Sequence, residues 1–145
     1  MRTLHAGLRV ADLDRSLVFY KGIGYDVVGH VPETEFGSLT LLKLPGDEFV
    51  TLELVHDPAV VSVEPGGLNH FVIHVEAMHH TLTRLEAHGV HTEPPSSPDG
   101  SNDFWTCWLA DPDGHRIELV QWPQGHPAGM TREDFSREGA CEGDQ

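Results

Sequence analysis

Leu52-Glu53-Leu54-Val55-His56 comes back later in the chain as Ile117-Glu118-Leu119-Val120-Gln121. The offset is 118 − 53 = 65 residues, and it holds well beyond this stretch. It pairs His5 with His70, Val10 with Val75, Leu17 with Leu82, Gly24 with Gly89 and Leu44 with Leu109. Chance supplies about one identity in fifteen aligned positions at average residue usage. A run of three identities, Glu-Leu-Val, in step with a repeated His and a repeated Gly marks an internal duplication. The chain therefore reads as two copies of one unit.

Around this pair, each copy carries the same order of elements. In the first, Leu4 to Val10 alternates as a strand, with Leu4, Ala6, Leu8 and Val10 on one face and His5, Gly7 and Arg9 on the other. Asp12 or Asp14 caps a helix through Leu13, Leu17, Val18 and Tyr20, which Gly22 and Gly24 end. Strands are expected over Tyr25–Val31, Ser38–Leu44 and Phe49–His56, the last two joined by the turn Pro45-Gly46-Asp47. In the second copy, a strand over Asn69–Val75 leads into a helix over Ala77–His88, with Met78, Leu82 and Leu85 at helical spacing and a stop at Gly89. A strand near Val90–Thr92, a Pro/Ser-rich loop over Glu93–Ser101 and strands over Asp103–Leu109 and His115–Trp122 complete it. Asp111-Pro112-Asp113-Gly114 forms the last turn.

The expected fold class is α+β, built from paired βαβββ units. One domain is expected over residues 1–122, with copies at 1–57 and 68–122 and a linker at 58–67 that carries Pro58, Pro65, Gly66 and Gly67. Copies of about 60 residues bury a core poorly alone, so pairing them makes physical sense. Residues 123–145 read as a polar tail with a short helix around Met130–Arg137 and disordered last residues.

Composition narrows the function. The net charge is −14, from 9 Lys+Arg and 23 Asp+Glu. Such a surface repels nucleic-acid phosphates and anionic lipid heads, so no nucleic-acid or membrane partner is expected and a small-molecule substrate is. A protein this acidic must concentrate its few cations locally if its ligand is an anion. No apolar run approaches the roughly 20 residues of a membrane span. The start, MRTLHAGLRV, lacks a signal peptide's apolar stretch, which makes the cytoplasm the default location. Cys107 in an apolar run and Cys141 in the tail give neither a disulfide framework nor a CxxC zinc spacing.

Duplication sets equivalent residues about a pseudo-twofold axis. His5 and His70 then match in the first strand of each copy, and Glu53 and Glu118 in the last. Two imidazoles and two carboxylates facing one cleft make an N2O2 site that suits Zn²⁺, Ni²⁺, Co²⁺ or Fe²⁺ better than Ca²⁺ or Mg²⁺. Each carboxylate sits between apolar neighbours, Leu52 and Leu54 or Ile117 and Leu119, where an unpaired charge is costly and a metal removes the cost. A lone strand His is more often exposed or hydrogen-bonded, and a lone Glu is more often solvated. Their joint spacing is what singles these four out. His74, two residues after His70, either shares the cleft or sits at its rim, and His56 is a weaker candidate. His79, His80 and His126 read as surface.

The opening LHAGLRVADLDRSLVFY, the second-copy start GLNHFVIHV and the closing DPDGHRIELV resemble bacterial glyoxalase I, lactoylglutathione lyase, of the vicinal oxygen chelate superfamily. The likeness covers about residues 1–122. It implies paired modules forming a metal-centred cup, with one divalent ion, nickel, cobalt or zinc, held by His5, Glu53, His70 and Glu118. It further implies a lyase that converts a methylglyoxal–thiol hemithioacetal into a lactoyl thioester. Glu118 would be the base and Glu53 its symmetric counterpart. Arg9 matches a family position that contacts the glutamyl carboxylate of the thiol cosubstrate, glutathione or another thiol. A homodimer is implied as well, because family sites often combine modules from two chains. Two departures stand out: His56-Asp57 where the family has Asn, and Asn102-Asp103-Phe104-Trp105 where it has a basic residue. An acid there would repel a glycyl carboxylate. Phe104, Trp105 and Trp108 either line an apolar pocket or pack into the core. Other readings of the same ligand set are an epimerase, a thiol transferase or a dioxygenase. A bleomycin-resistance-like protein that sequesters a drug without chemistry is a further alternative, though such relatives usually lack the ligands.

Overall fold

The structure is a computed structural model, and it describes residues 1–136. Its elements run β1 (Ala6–Arg9), α1 (Leu13–Ile23), β2 (Asp26–Thr34), β3 (Gly37–Lys43), β4 (Leu52–His56), β5 (His70–His74), α2 (Met78–Ala87), β6 (Trp105–Ala110) and β7 (Arg116–Gln121), followed by a 3₁₀ turn at Arg132–Phe135. The first four strands form one sheet in the order β1-β4-β3-β2, and the last three a second in the order β5-β7-β6. In each sheet the strand before the helix pairs in parallel with the last strand of its half, β1 with β4 and β5 with β7. Among the described residues no helix is long and apolar enough to cross a membrane.

Local chemistry explains the boundaries. Asp12, extended at φ −132, accepts the Arg15 amide and caps α1. Gly24 ends it at φ 127, where its amide reaches the Tyr20 and Lys21 carbonyls. β4 begins at Leu52 rather than at Phe49. Asp47 accounts for this by accepting the Leu44 amide and the Thr51 hydroxyl, which ties off residues 48–50 as a loop. The α2 N-cap, Ala77, has no capping side chain of its own. Gln121 at the end of β7 supplies one across the fold, its Oε1 2.6 Å from the Met78 amide.

The expected strand at Val90–Thr92 does not form, so the second sheet has three strands where the first has four. Pro94, Pro95 and Pro98 remove ladder donors from the stretch that follows. What remains of a fourth strand is the Glu93 amide bonded to the Trp108 carbonyl and an isolated bridge between Ser96 and Thr106. The tail helix is a single 3₁₀ turn; Arg137 and Cys141 lie outside the described residues. Cys107 is buried and free.

Alternation sends Leu8, Val10, Leu42, Leu52 and Leu54 of the first sheet, and Ile73, Cys107, Leu109, Ile117 and Leu119 of the second, into one core with Tyr20, Ile23, Met78 and Leu85 from the helices. A polar clasp fastens the two halves. The turn before β7 sends Asp111 Oδ2 to the buried Tyr20 hydroxyl at 2.7 Å, and Asp113 to the Ala11 amide and the Ser16 hydroxyl. His115 Nε2 donates to the Arg9 carbonyl at 2.9 Å. The opposite face of each sheet, carrying His5, Gly7, Arg9 and Glu53 or His70, Val72, His74 and Glu118, stays partly open to solvent.

Candidate metal site

Glu53 sits at the centre of its sheet, opposite Gly7 on β1 and Leu41 on β3. Gly7 carries no side chain, so the strand beside the carboxylate leaves room at this register. His5, just ahead of β1, fills that room: its Nε2 donates to Glu53 Oε2 at 3.0 Å. The carboxylate is 17% exposed and the imidazole 36%.

Glu118 occupies the equivalent place in the second sheet, between Val72 on β5 and Trp108 on β6. It is half-buried, and among the described residues no hydrogen-bond donor or cation reaches its carboxylate. A half-buried carboxylate in an apolar strand without a partner is unfavourable, and a bound cation relieves it. His70 is already prepared for such a role. Asn69 Oδ1 lies 2.7 Å from its Nδ1 and accepts that nitrogen's proton, which orients the ring. The imidazole packs against the Trp108 ring in a T-shaped arrangement, centroids 4.9 Å apart at 75°.

The structure thus joins His5 to Glu53 on one sheet and places His70 and Glu118 on one face of the other, and no three of the four have ligand atoms within 4.8 Å of one another. Among the described residues, the one group of three acids or histidines with ligand atoms within 4.8 Å of one another is Asp111, Asp113 and His115. Their donors and acceptors already serve the clasp. Asp111 Oδ1 accepts the amides of Asp113 and His115, and its Oδ2 holds Tyr20. A metal at this group would have to break those bonds.

Arg9 stands exposed on the site face of β1, opposite Val55 on β4. His74 faces the same side as His70. With Val72, Val120, Trp122, Ala128, Gly129 and Met130 it lines a cavity of about 290 Å³. His56, at the end of β4, borders a shallow cleft with residues 11–15 instead. The aromatic cluster divides. Trp108 belongs to the site, Trp105 packs against the core, and Phe104 stacks on Trp122 at 5.5 Å.

His126, read from the sequence as tail surface, is a structural pin. Its ring stacks on Trp122 at 4.5 Å, Nδ1 lies 2.6 Å from the Pro127 carbonyl, and Nε2 lies 2.6 Å from Asp134 Oδ1. Both neighbours are acceptors, so only the imidazolium satisfies both. The Pro127 carbonyl, and then Asp134, raise its pKa. The available signal was local: an aromatic strand end at Trp122 followed closely by His126-Pro127.

Residues 2–119 match the family described as the Glyoxalase/Bleomycin resistance protein/Dioxygenase superfamily. A probable lactoylglutathione lyase of Vibrio cholerae is 33% identical over 135 residues, spanning 89% of this chain and 96% of that protein. Among solved structures, glyoxalase I from Zea mays is similar at 27% identity with a TM-score of 0.71, over 85% of this chain and 45% of that one. TnmS3, an antibiotic binding protein from Streptomyces, shares the fold at 22% identity and a TM-score of 0.66, over 83% of this chain and 96% of that one.

Proposed function

This chain belongs to the Glyoxalase/Bleomycin resistance protein/Dioxygenase superfamily, and from that premise we propose that it is a metal-dependent lyase of the glyoxalase I type. The observation that carries the reading is the matched pair of half-sites. His5 and Glu53 stand 3.0 Å apart on one sheet, and on the other Glu118, which no donor reaches among the described residues, shares a face with His70, whose Nδ1 is held by Asn69. Two imidazoles and two carboxylates suit nickel, cobalt or zinc. In this reading the ion, when bound, supplies positive charge that stabilises the negative oxygen of an enediolate.

The residues of the chain do the rest. Glu118 takes the C1 proton of a methylglyoxal–thiol hemithioacetal and returns it at C2. The hydroxyl proton passes from O1 to O2, so the net change is an isomerisation to a lactoyl thioester that needs no oxidant or reductant. Glu53 is the counterpart base from the symmetric side. Val55, Val72 and Trp108 border the carboxylates. Arg9 receives a carboxylate of the thiol. The site is completed by a second copy, with His5 and Glu53 of one chain facing His70 and Glu118 of the partner subunit. The catalytic domain extends over residues 1–122, and the protein works in the cytoplasm.

The test is metal content of tag-free protein, before and after reconstitution with Ni²⁺, Co²⁺ or Zn²⁺, followed by thioester formation from methylglyoxal and glutathione. About one ion per chain is expected, with Glu118→Gln binding it more weakly and losing about 100-fold or more in kcat. Protein that retains no ion under any of these conditions would sink the enzyme reading and leave a ligand-sequestering protein in its place.

A further inference from the structure

The chain has only 9 Lys+Arg against 23 Asp+Glu, so what each cation does is informative. Several are engaged by the chain itself. Arg15 faces Asp113 and the Pro112 carbonyl, Arg84 donates to the Ile23 carbonyl, and Lys43 to the Asp47 carbonyl. Arg116 differs. It is exposed at the start of β7, two residues before Glu118 and on the same face, so the two lie about 7 Å apart along the strand. Among the described residues no carboxylate lies within 4 Å of its guanidinium, and its N–H groups make no hydrogen bond.

Arg116 is nonetheless held in place. Its guanidinium carbon lies 4.4 Å from the centroid of Trp108, the same indole that braces His70 and sits opposite Glu118 in register. Contact through the π face fixes an arginine while leaving its N–H edge free, and that edge matches a carboxylate in a two-point fork. The charge is therefore pre-positioned beside the half-site and left unused.

A second observation concerns Asp103, the acid that stands near where the resembled family carries a basic residue. Its Oδ2 accepts the Gln124 amide and its carbonyl accepts from Gln121 Nε2, which turns it to holding the segment after β7.

We propose that Arg116, laid over Trp108, binds a carboxylate of the thiol portion of the substrate and selects for carboxylate-bearing thiols. This rests on the glyoxalase reading and adds a specificity residue to it. Arg9 and Arg116 then supply one cation from each half-site, a pattern suited to a dianionic, peptide-like thiol.

The experiment compares methylglyoxal hemithioacetals of glutathione and of its glycyl ethyl ester, with wild type, Arg116→Ala and Arg116→Lys at matched metal content. Calorimetry with S-methylglutathione and its ester reads binding without turnover. Wild type is expected to prefer the acid. Arg116→Ala should raise KM for the acid by about tenfold or more, change kcat by less than about twofold, and abolish the preference over the ester, with Arg116→Lys recovering part of it. Equal losses for acid and ester, or a loss confined to kcat, would overturn the proposal while the lyase reading stands. If wild type turns over neither hemithioacetal, the lyase reading fails and calorimetry decides this one. Weaker binding of the acid alone by Arg116→Ala supports it, and unchanged or absent binding refutes it.

Discussion

Tyr20 shows how much a single hydroxyl carries in this fold. It is fully buried and donates to Asp111 Oδ2 at 2.7 Å, while the other Asp111 oxygen accepts two amides of its own turn. Burial, and then the Asp111 charge, push the phenol far above its ordinary pKa, so it stays a neutral donor. Tyr20→Phe keeps the ring and strands the carboxylate oxygen. A loss of about 1–3 kcal/mol is expected in denaturant unfolding, with little change in Zn²⁺ or Ni²⁺ binding. A loss below the measurement error would show that water replaces the hydroxyl. At this scale the sequence was partly legible. The four ligand candidates stood out because a fixed offset repeats them, Arg9 because it matches a position of the resembled family, and Asn69 beside His70 lay in plain view. Arg116 was not, because nothing in a one-dimensional string distinguishes an arginine held over an indole from any exposed one.

The segment after β7 is the least legible element and the one with a definite pH response. His126 and Asp134 are joined at 2.6 Å, and Asp134 also accepts the Thr131 amide at the start of the 3₁₀ turn. His126 has a raised pKa, so its contribution is full below the ordinary histidine value of about 6.5 and is lost as pH climbs through the raised value. Asp134 is lowered, first by the Thr131 amide and then by His126, so its share is present above the ordinary carboxylate range and is lost as pH falls through the lowered value. Hydrogen exchange at the Thr131 and Asp134 amides, corrected for intrinsic rate, should speed up on the alkaline side in wild type. His126→Ala should lack that step. A flat profile in wild type would show that the ring stack with Trp122 alone holds the segment. Strand and helix periodicity located the remaining elements well. The failure at Val90–Thr92 had a simple cause, since reasoning from the repeat demanded a fourth strand where Pro94 and Pro95 interrupt its ladder.

For the whole molecule, the proposed function assigns one half-site to each sheet and completes each with a second copy of the chain. Glu53→Gln and Glu118→Gln are each expected to be inactive alone. Mixed and allowed to exchange subunits, they should regain about a quarter of wild-type activity, because half the pairs are mixed and each mixed pair has one intact site. A site formed inside one chain would show no recovery. The duplication, and with it the two-sheet plan, could be read from the 65-residue offset, since a repeat exposes tertiary design in one dimension. How the halves meet could not, because it depends on the clasp between the last turn and α1, where no periodicity points. That clasp also sets a clock. The Tyr20 hydroxyl is separated from Asp111 by 91 residues. At about 5–20 residues added per second during synthesis, the partner is made roughly 5–18 seconds after the tyrosine. Through that interval the nascent first half lacks the carboxylate its buried phenol requires, so its docking is a late event, governed by translation speed as much as by stability.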